Sequence, residues 1–281
     1  MIAFVLSGGA SLGAVEVGML QALVAEGITP DVLCGTSVGA VNAAYLAGHP
    51  GPSGVEGLAA LWRSIRRTQI FPVNPLRGLS GFLGRSNYLV DPGPIRRLVE
   101  SHLTFERLED APIPLHVVTT DVITGRDRVF SSGPAAPAVL ASAAIPGVFP
   151  PVVIDGRPYM DGGVTDNTPI SHAVTLEPNV IYVLPTGHPC SLQQAPHSAL
   201  GMVLQAVTVM IGRQLVVDIE RYRSVVDLRV VPPLCPLDVS PVDFSHSVEL
   251  IDRARQSTHE WLAAGQPDGG AMHILAGDHS H

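Results

Sequence analysis

The sequence contains no lysine; all 17 basic residues are arginine. That excludes a P-loop lysine, a Schiff-base lysine and a serine–lysine pair, each of which needs an amine or ammonium group. A nucleophilic serine here must find its base among His, Asp or Glu. Charge of either sign is scarce at 15%, while 46% of the residues are apolar. Such a chain has ample material for a core and little for long disordered tracts. The net charge of −8 argues against nonspecific nucleic-acid binding, which depends on neutralising phosphates. The cysteines, Cys34, Cys190 and Cys235, lack C-x-x-C spacing, so no zinc or redox motif follows, and their odd count suits reduced thiols. No apolar run reaches the roughly 18 residues that cross a bilayer. No H-E-x-x-H, EF-hand loop or carboxylate cluster is present, so no metal or other cofactor is expected. No basic leader or cleavage site precedes Ile2–Leu6, and the expected compartment is the cytoplasm.

Among what is present, Gly35-Thr36-Ser37-Val38-Gly39 stands out. The apolar residues before it read as a strand and the small residues after it, Val38 to Ala47, as a helix. A serine between glycines at a strand-to-helix turn has the form of a nucleophile elbow. The turn crowds the backbone, so small residues flank the serine, and the helix N-terminus faces any negative charge that develops there. A tight turn with a serine helix cap would read the same way locally.

Ile2 to Leu6 is a buried-strand candidate, followed by the Gly-rich turn Ser7-Gly8-Gly9-Ala10-Ser11-Leu12-Gly13 and a helix to Glu26. Strand, helix, strand and helix in quick succession predict a parallel sheet with right-handed crossovers. The Gly-rich turn and the elbow then lie together at the carboxyl edge of the sheet, where such sheets bind ligands. Further strands are expected at 115–120, 128–131, 152–154, 157–160, 180–184 and 225–231, and further helices at 55–66, 94–102, 136–144, 198–222 and 248–264. Residues 68–87 carry proline and glycine with exposed-looking Ile70, Phe71 and Phe82, and read as a long irregular loop. Over Trp62 to Arg85, arginines interleave with apolar side chains. That pattern suits a mobile lid in peripheral contact with a membrane surface, or a solvated helix face and an ordinary loop. The absence of repeats and linkers gives one domain, 1–264, with a disordered Gly- and His-rich tail over 265–281.

For catalysis, Ser37 is the candidate nucleophile, and the backbone N–H groups of Gly8, Gly9 and Ala10 are candidate oxyanion donors. A dinucleotide site is the alternative reading of Gly8-x-Ala10-x-x-Gly13, but it needs an acid at the end of the second strand, where Gly35-Thr36-Ser37 stands. None of the 11 histidines has a distinctive setting. Asp161 is the leading candidate base, because it follows a strand and Gly162-Gly163 clear space beside it; it would also serve as a plain Asp-Gly turn. Asp121, Asp127 and Asp166 are comparable acids in weaker contexts.

Three blocks resemble the patatin-like phospholipase family. Leu6 to Ala14 is similar to its oxyanion loop, Gly35 to Ala40 to its elbow, and Ala144 to Pro151 running into Asp161-Gly162-Gly163 to its aspartate motif. The stretch from Pro232 to Asp243 also resembles bacterial members. The resemblance implies a three-layer α/β/α fold with a mainly parallel sheet. It further implies a Ser37–Asp161 dyad without histidine, an oxyanion loop at Gly8, Gly9 and Ala10, and metal-free hydrolysis of lipid or phospholipid acyl esters. Ala10 stands where a third glycine is usual and Leu12 where an arginine is usual. The second change removes a positive charge near the loop and leaves the choice between phospholipid and neutral ester open. A non-enzymatic member that binds lipid or a protein partner is the rival reading; the presence of both Ser37 and Asp161 weighs against it.

Overall fold

The computed structural model describes residues 1–72, 88–187, 199–235, 237 and 239–266. At its centre is one eight-stranded sheet. Strands β1 (Ile2–Leu6), β2 (Val32–Thr36), β3 (Leu115–Asp121), β7 (Val180–Leu184) and β8 (Asp227–Val230) are parallel, in the order β3-β2-β1-β7-β8. Strands β4 (Asp127–Phe130) and β6 (Arg157–Asp161) pair antiparallel with β3, and β5 (Val152–Ile154) pairs antiparallel with β6.

The parallel strands are continuously apolar because both faces are covered. In β1, Phe4 and Leu6 pack in the core beneath helices α1 (Gly13–Ala25), α2 (Val38–Gly48), α3 (Pro52–Ser64) and the last helix at Ser247–Ala263. Ala3 and Val5 face the other way, with Cys34, Ile181 and Ile219, under helices at Ile170–Val174 and Ala199–Tyr222. The result is the expected α/β/α sandwich. Helix α1 is buried from Gly13 to Val24. Gly18 lets the last helix approach it, since a Cβ there would lie 2.2 Å from the Ile251 carbonyl.

The register of β3 positions the site. Val117 and Val118 pair with Gly35 and Thr36 on one edge and with Phe130 and Val129 on the other. Thr119 then pairs with both Arg128 and Asp161. Strand β4 therefore holds one edge throughout, and β6 takes over the other edge where β2 stops. Strands β2 and β6 run toward each other, so Thr36 and Asp161, their last residues, end side by side.

Two expectations are corrected. Residues 67–72 are not exposed irregular loop: Arg67–Ile70 is a short helix, α4, and Ile70 and Phe71 are buried. Large apolar side chains here gain more from the core than from water, and Phe71 stacks on Phe149. Residues 73–87, including Phe82, and 267–281, most of the expected tail, lie outside the described residues. Cys34 is a free, buried thiol, but Cys235 is disulfide-bonded rather than reduced. Among the described residues, no helix is long and apolar enough to cross a membrane.

Candidate active site

Ser37 sits between β2 and α2 with φ 55° and ψ −124°. A non-glycine residue in that region is strained, and such strain persists only where the surroundings hold it. They do so through close approaches that exclude side chains. A Cβ on Gly35 would lie 2.7 Å from Ala40 Cα, and one on Gly39 would lie 2.4 Å from the Leu6 carbonyl oxygen. The Ser37 N–H donates to Ser142 Oγ at 2.8 Å, and the Ser142 hydroxyl donates to the Val118 carbonyl at 2.6 Å. Ser142, in the helix Ala135–Ser142, thereby ties the elbow to β3.

Ser37 Oγ donates to Asp161 Oδ2 at 2.7 Å, and both residues are buried, at 7% and 6% exposure. The other carboxylate oxygen, Oδ1, accepts the Gly163 N–H at 2.8 Å. Gly162 permits this turn, because a Cβ there would lie 2.3 Å from the Val118 carbonyl oxygen. Burial pushes the Asp161 carboxyl up to about 6, against the opposing pull of the Ser37 hydroxyl and the Gly163 N–H. An acid so placed is ionised at neutral pH yet a better proton acceptor than a free aspartate.

The Gly-rich loop is fastened from several segments. The Gly8 N–H donates to the Asn167 carbonyl, and the Gly8 carbonyl accepts from Thr186 Oγ1 and Asn167 Nδ2. Ser11 donates its N–H to the Pro241 carbonyl and its hydroxyl to that of Ser240. No described residue takes the N–H of Gly9 or Ala10. Of the three positions expected to offer donors, Gly8 is therefore engaged within the protein, and Gly9 and Ala10 are not engaged by any described residue. Ala10 has φ 52°, a conformation that costs an L-residue about 1 kcal/mol or more.

An apolar cavity is lined by Ser37 and Ala10. Helix α2 lines it with Val38, Val41, Asn42 and Tyr45, and helix α5 (Gly93–His102) with Ile95, Leu98, Val99 and His102. Both sets have the i, i+3, i+4, i+7 spacing of one helix face. Asn42 does not make the wall polar. Its Nδ2 donates to the Gly13 carbonyl and to Glu16 Oε2, and its Oδ1 accepts from Trp62 Nε1. Glu16 is fully buried behind this wall, and burial raises its carboxyl well above the usual carboxylate range.

Asp121, Asp127, Asp166, His102, His172 and His259 have partners of their own. Asp121 Oδ1 accepts the N–H groups of Ile123 and Thr124 in a turn. Asp127 and Asp166 flank His172. His102 lines the cavity, but its Nδ1 binds the Leu98 carbonyl at 2.8 Å. His259 is exposed near Glu26. Among the described residues, no group of three or more His, Cys, Asp or Glu could hold a metal.

A family model described as Patatin-like phospholipase matches residues 4–174. Rat patatin-like phospholipase domain-containing protein 7 is 29% identical over 196 residues, 66% of this chain and 14% of its own length. An uncharacterised NTE family protein of Mycobacterium bovis is 32% identical over 172 residues, 60% of this chain and 44% of its own. The lysophospholipase NTE1 of Pyricularia oryzae is 26% identical over 228 residues, 75% of this chain and 14% of its own. The chain thus spans less than half the length of these relatives. Among solved structures, VipD of Legionella pneumophila superposes with a TM-score of 0.47 at 16% identity, covering 93% of this chain and 66% of that one.

Proposed function

Because the chain belongs to the patatin-like phospholipase family, we propose that it is a lipid acyl hydrolase working through a Ser37–Asp161 dyad and an acyl-enzyme. Ser37 Oγ attacks the ester carbonyl as its proton passes to Asp161. The tetrahedral oxyanion is met by the N–H groups of Gly9 and Ala10, with the N-terminus of α2 adding its partial positive charge. Collapse releases the alcohol, which takes the proton from Asp161. Water then attacks the acyl-enzyme, Asp161 receives its proton and returns it to Ser37 Oγ as the carboxylic acid leaves.

The observation that carries this reading is the 2.7 Å hydrogen bond to a buried carboxylate from Ser37, which also lines an apolar cavity. The cavity supplies apolar surface for an acyl chain, and the Ser37 hydroxyl is already hydrogen-bonded to Asp161. Turnover of p-nitrophenyl butyrate tests it. Ser37→Ala and Asp161→Asn are each expected to lower kcat by about a thousandfold or more, in proteins whose folding is checked by circular dichroism. EDTA is expected to leave wild-type turnover intact. Near-wild-type turnover by folded Asp161→Asn would overturn the dyad.

A further inference from the structure

The cavity follows α2 from Ser37 to Tyr45. At a helical rise of about 1.5 Å per residue, Tyr45 stands about 12 Å beyond Ser37. There the cavity meets braced rings. Tyr45 stacks on His49 with centroids 4.4 Å apart and planes 20° apart, and the His102 ring is 6.2 Å away. The Tyr45 hydroxyl packs so closely on Gly57 that a Cβ there would lie 2.6 Å from it. His102 is tethered in turn through Nδ1 to the Leu98 carbonyl. Ring-on-ring packing of this kind leaves Tyr45 little room to swing aside for a longer ligand.

An extended hydrocarbon advances about 1.25 Å per carbon, from a C–C bond of ~1.5 Å and an angle of ~111°. About ten carbons therefore reach from a carbonyl at Ser37 to these rings. We propose that Tyr45, braced by His49 and His102, is the specificity-determining stop of the cavity, and that the protein selects medium-chain acyl groups of about ten carbons. The assignment of the carbonyl end rests on the acyl-hydrolase reading; the stop itself is a matter of cavity shape.

A p-nitrophenyl ester series from butyrate to palmitate reads the stop. In the wild type, kcat/KM is expected to climb, by up to about fourfold per methylene, to a maximum near ten carbons and then to fall. Tyr45→Phe is expected to keep that maximum, and Tyr45→Ala to move it at least four carbons longer, chiefly through KM. His102→Ala, which removes the brace, is expected to move it in the same direction and stands in if Tyr45→Ala does not fold. A wild-type profile that climbs to palmitate, or a maximum unmoved in the folded variants, overturns the proposal. Calorimetric binding of straight-chain methyl ketones separates this inference from the function it rests on. If no ester is hydrolysed but wild-type ketone affinity stops rising near ten carbons and Tyr45→Ala extends the rise, the hydrolase reading falls and the stop stands. Ketone affinity that rises without a break overturns the stop whatever the hydrolysis shows.

Discussion

At the scale of single residues, the site depends on a serine held in strained backbone and a carboxyl held out of water. Burial raises Asp161 to about 6, and the proposed chemistry needs its carboxylate form. Hydrolysis should therefore rise with pH through about 6 and level off above it, as a pH–rate profile would show. Stability should run the other way. A carboxyl whose folded value is raised favours folding fully only below its unfolded value, and that contribution is lost as pH rises through the folded value. From 3.8 to about 6, that amounts to about 3 kcal/mol. Asp161→Asn should thus melt higher than the wild type at pH 7, with the gap closing toward pH 4 in thermal scans. A wild type that melts higher at pH 7 would mean that the carboxylate's hydrogen bonds outweigh its desolvation. Ser37 and Asp161 are legible in the sequence because close backbone packing forces glycine around them. Ser142, Asn167 and Thr186, which fix the elbow and the loop, carry no comparable signal: a serine, an asparagine or a threonine in small-residue sequence looks the same whether or not it holds a buried backbone group. Nor does the sequence tell that the Gly8 N–H is already used, since Asn167 lies 159 residues further along the chain.

At the scale of elements, β2 and β6 meet end to end on one edge of β3 and deliver Ser37 and Asp161 to one point. Behind them, α1, α2 and α3 are joined by the chain of Glu16, Asn42 and Trp62. Among the described residues Glu16 Oε1 has no hydrogen-bond partner, and a buried charge so placed is costly. The raised carboxyl of Glu16 stabilises the fold below the usual glutamate value, and this contribution is lost as pH rises toward its folded value. Glu16→Gln, which keeps the shape and removes the titration, should gain on the wild type as pH rises above about 4.3. Denaturant unfolding at several pH values checks this. A gap between the two proteins that does not change with pH would show that Glu16 does not titrate on folding. The strands of the parallel sheet are legible as apolar runs bounded by turn residues. The helix at Ile170–Val174 and α4 at Arg67–Ile70 are not, because four or five residues are too few to show a helical period.

At the scale of the whole molecule, the family match over residues 4–174 takes in β1 to β6 and the elements that carry Ser37 and Asp161, and stops before β7 and β8. Within Trp62 to Arg85, whose interleaved arginines and apolar side chains read as a membrane-facing lid, Trp62, Ile65, Ile70 and Phe71 are buried in the core, and residues 73–85 lie outside the described residues. Alternation of charge and apolar character fits an amphipathic surface and a helix packed by one face equally well. Phe71 lines the cavity beside Phe149 and Phe244, so Phe71→Ser should destabilise the fold by about 3–5 kcal/mol, as large core deletions do. It should lower hydrolysis of a soluble short ester and of vesicle lipid alike. A loss confined to vesicles would support the interfacial role.

The central claim is that Ser37 is a nucleophile activated by Asp161. Its most direct test is covalent capture by an alkyl fluorophosphonate, read by intact mass and peptide mapping. The expected result is one adduct per chain, on the peptide containing Ser37, absent from Ser37→Ala and forming much more slowly in Asp161→Asn. No adduct on the folded wild type, or one that persists in Ser37→Ala, would contradict it.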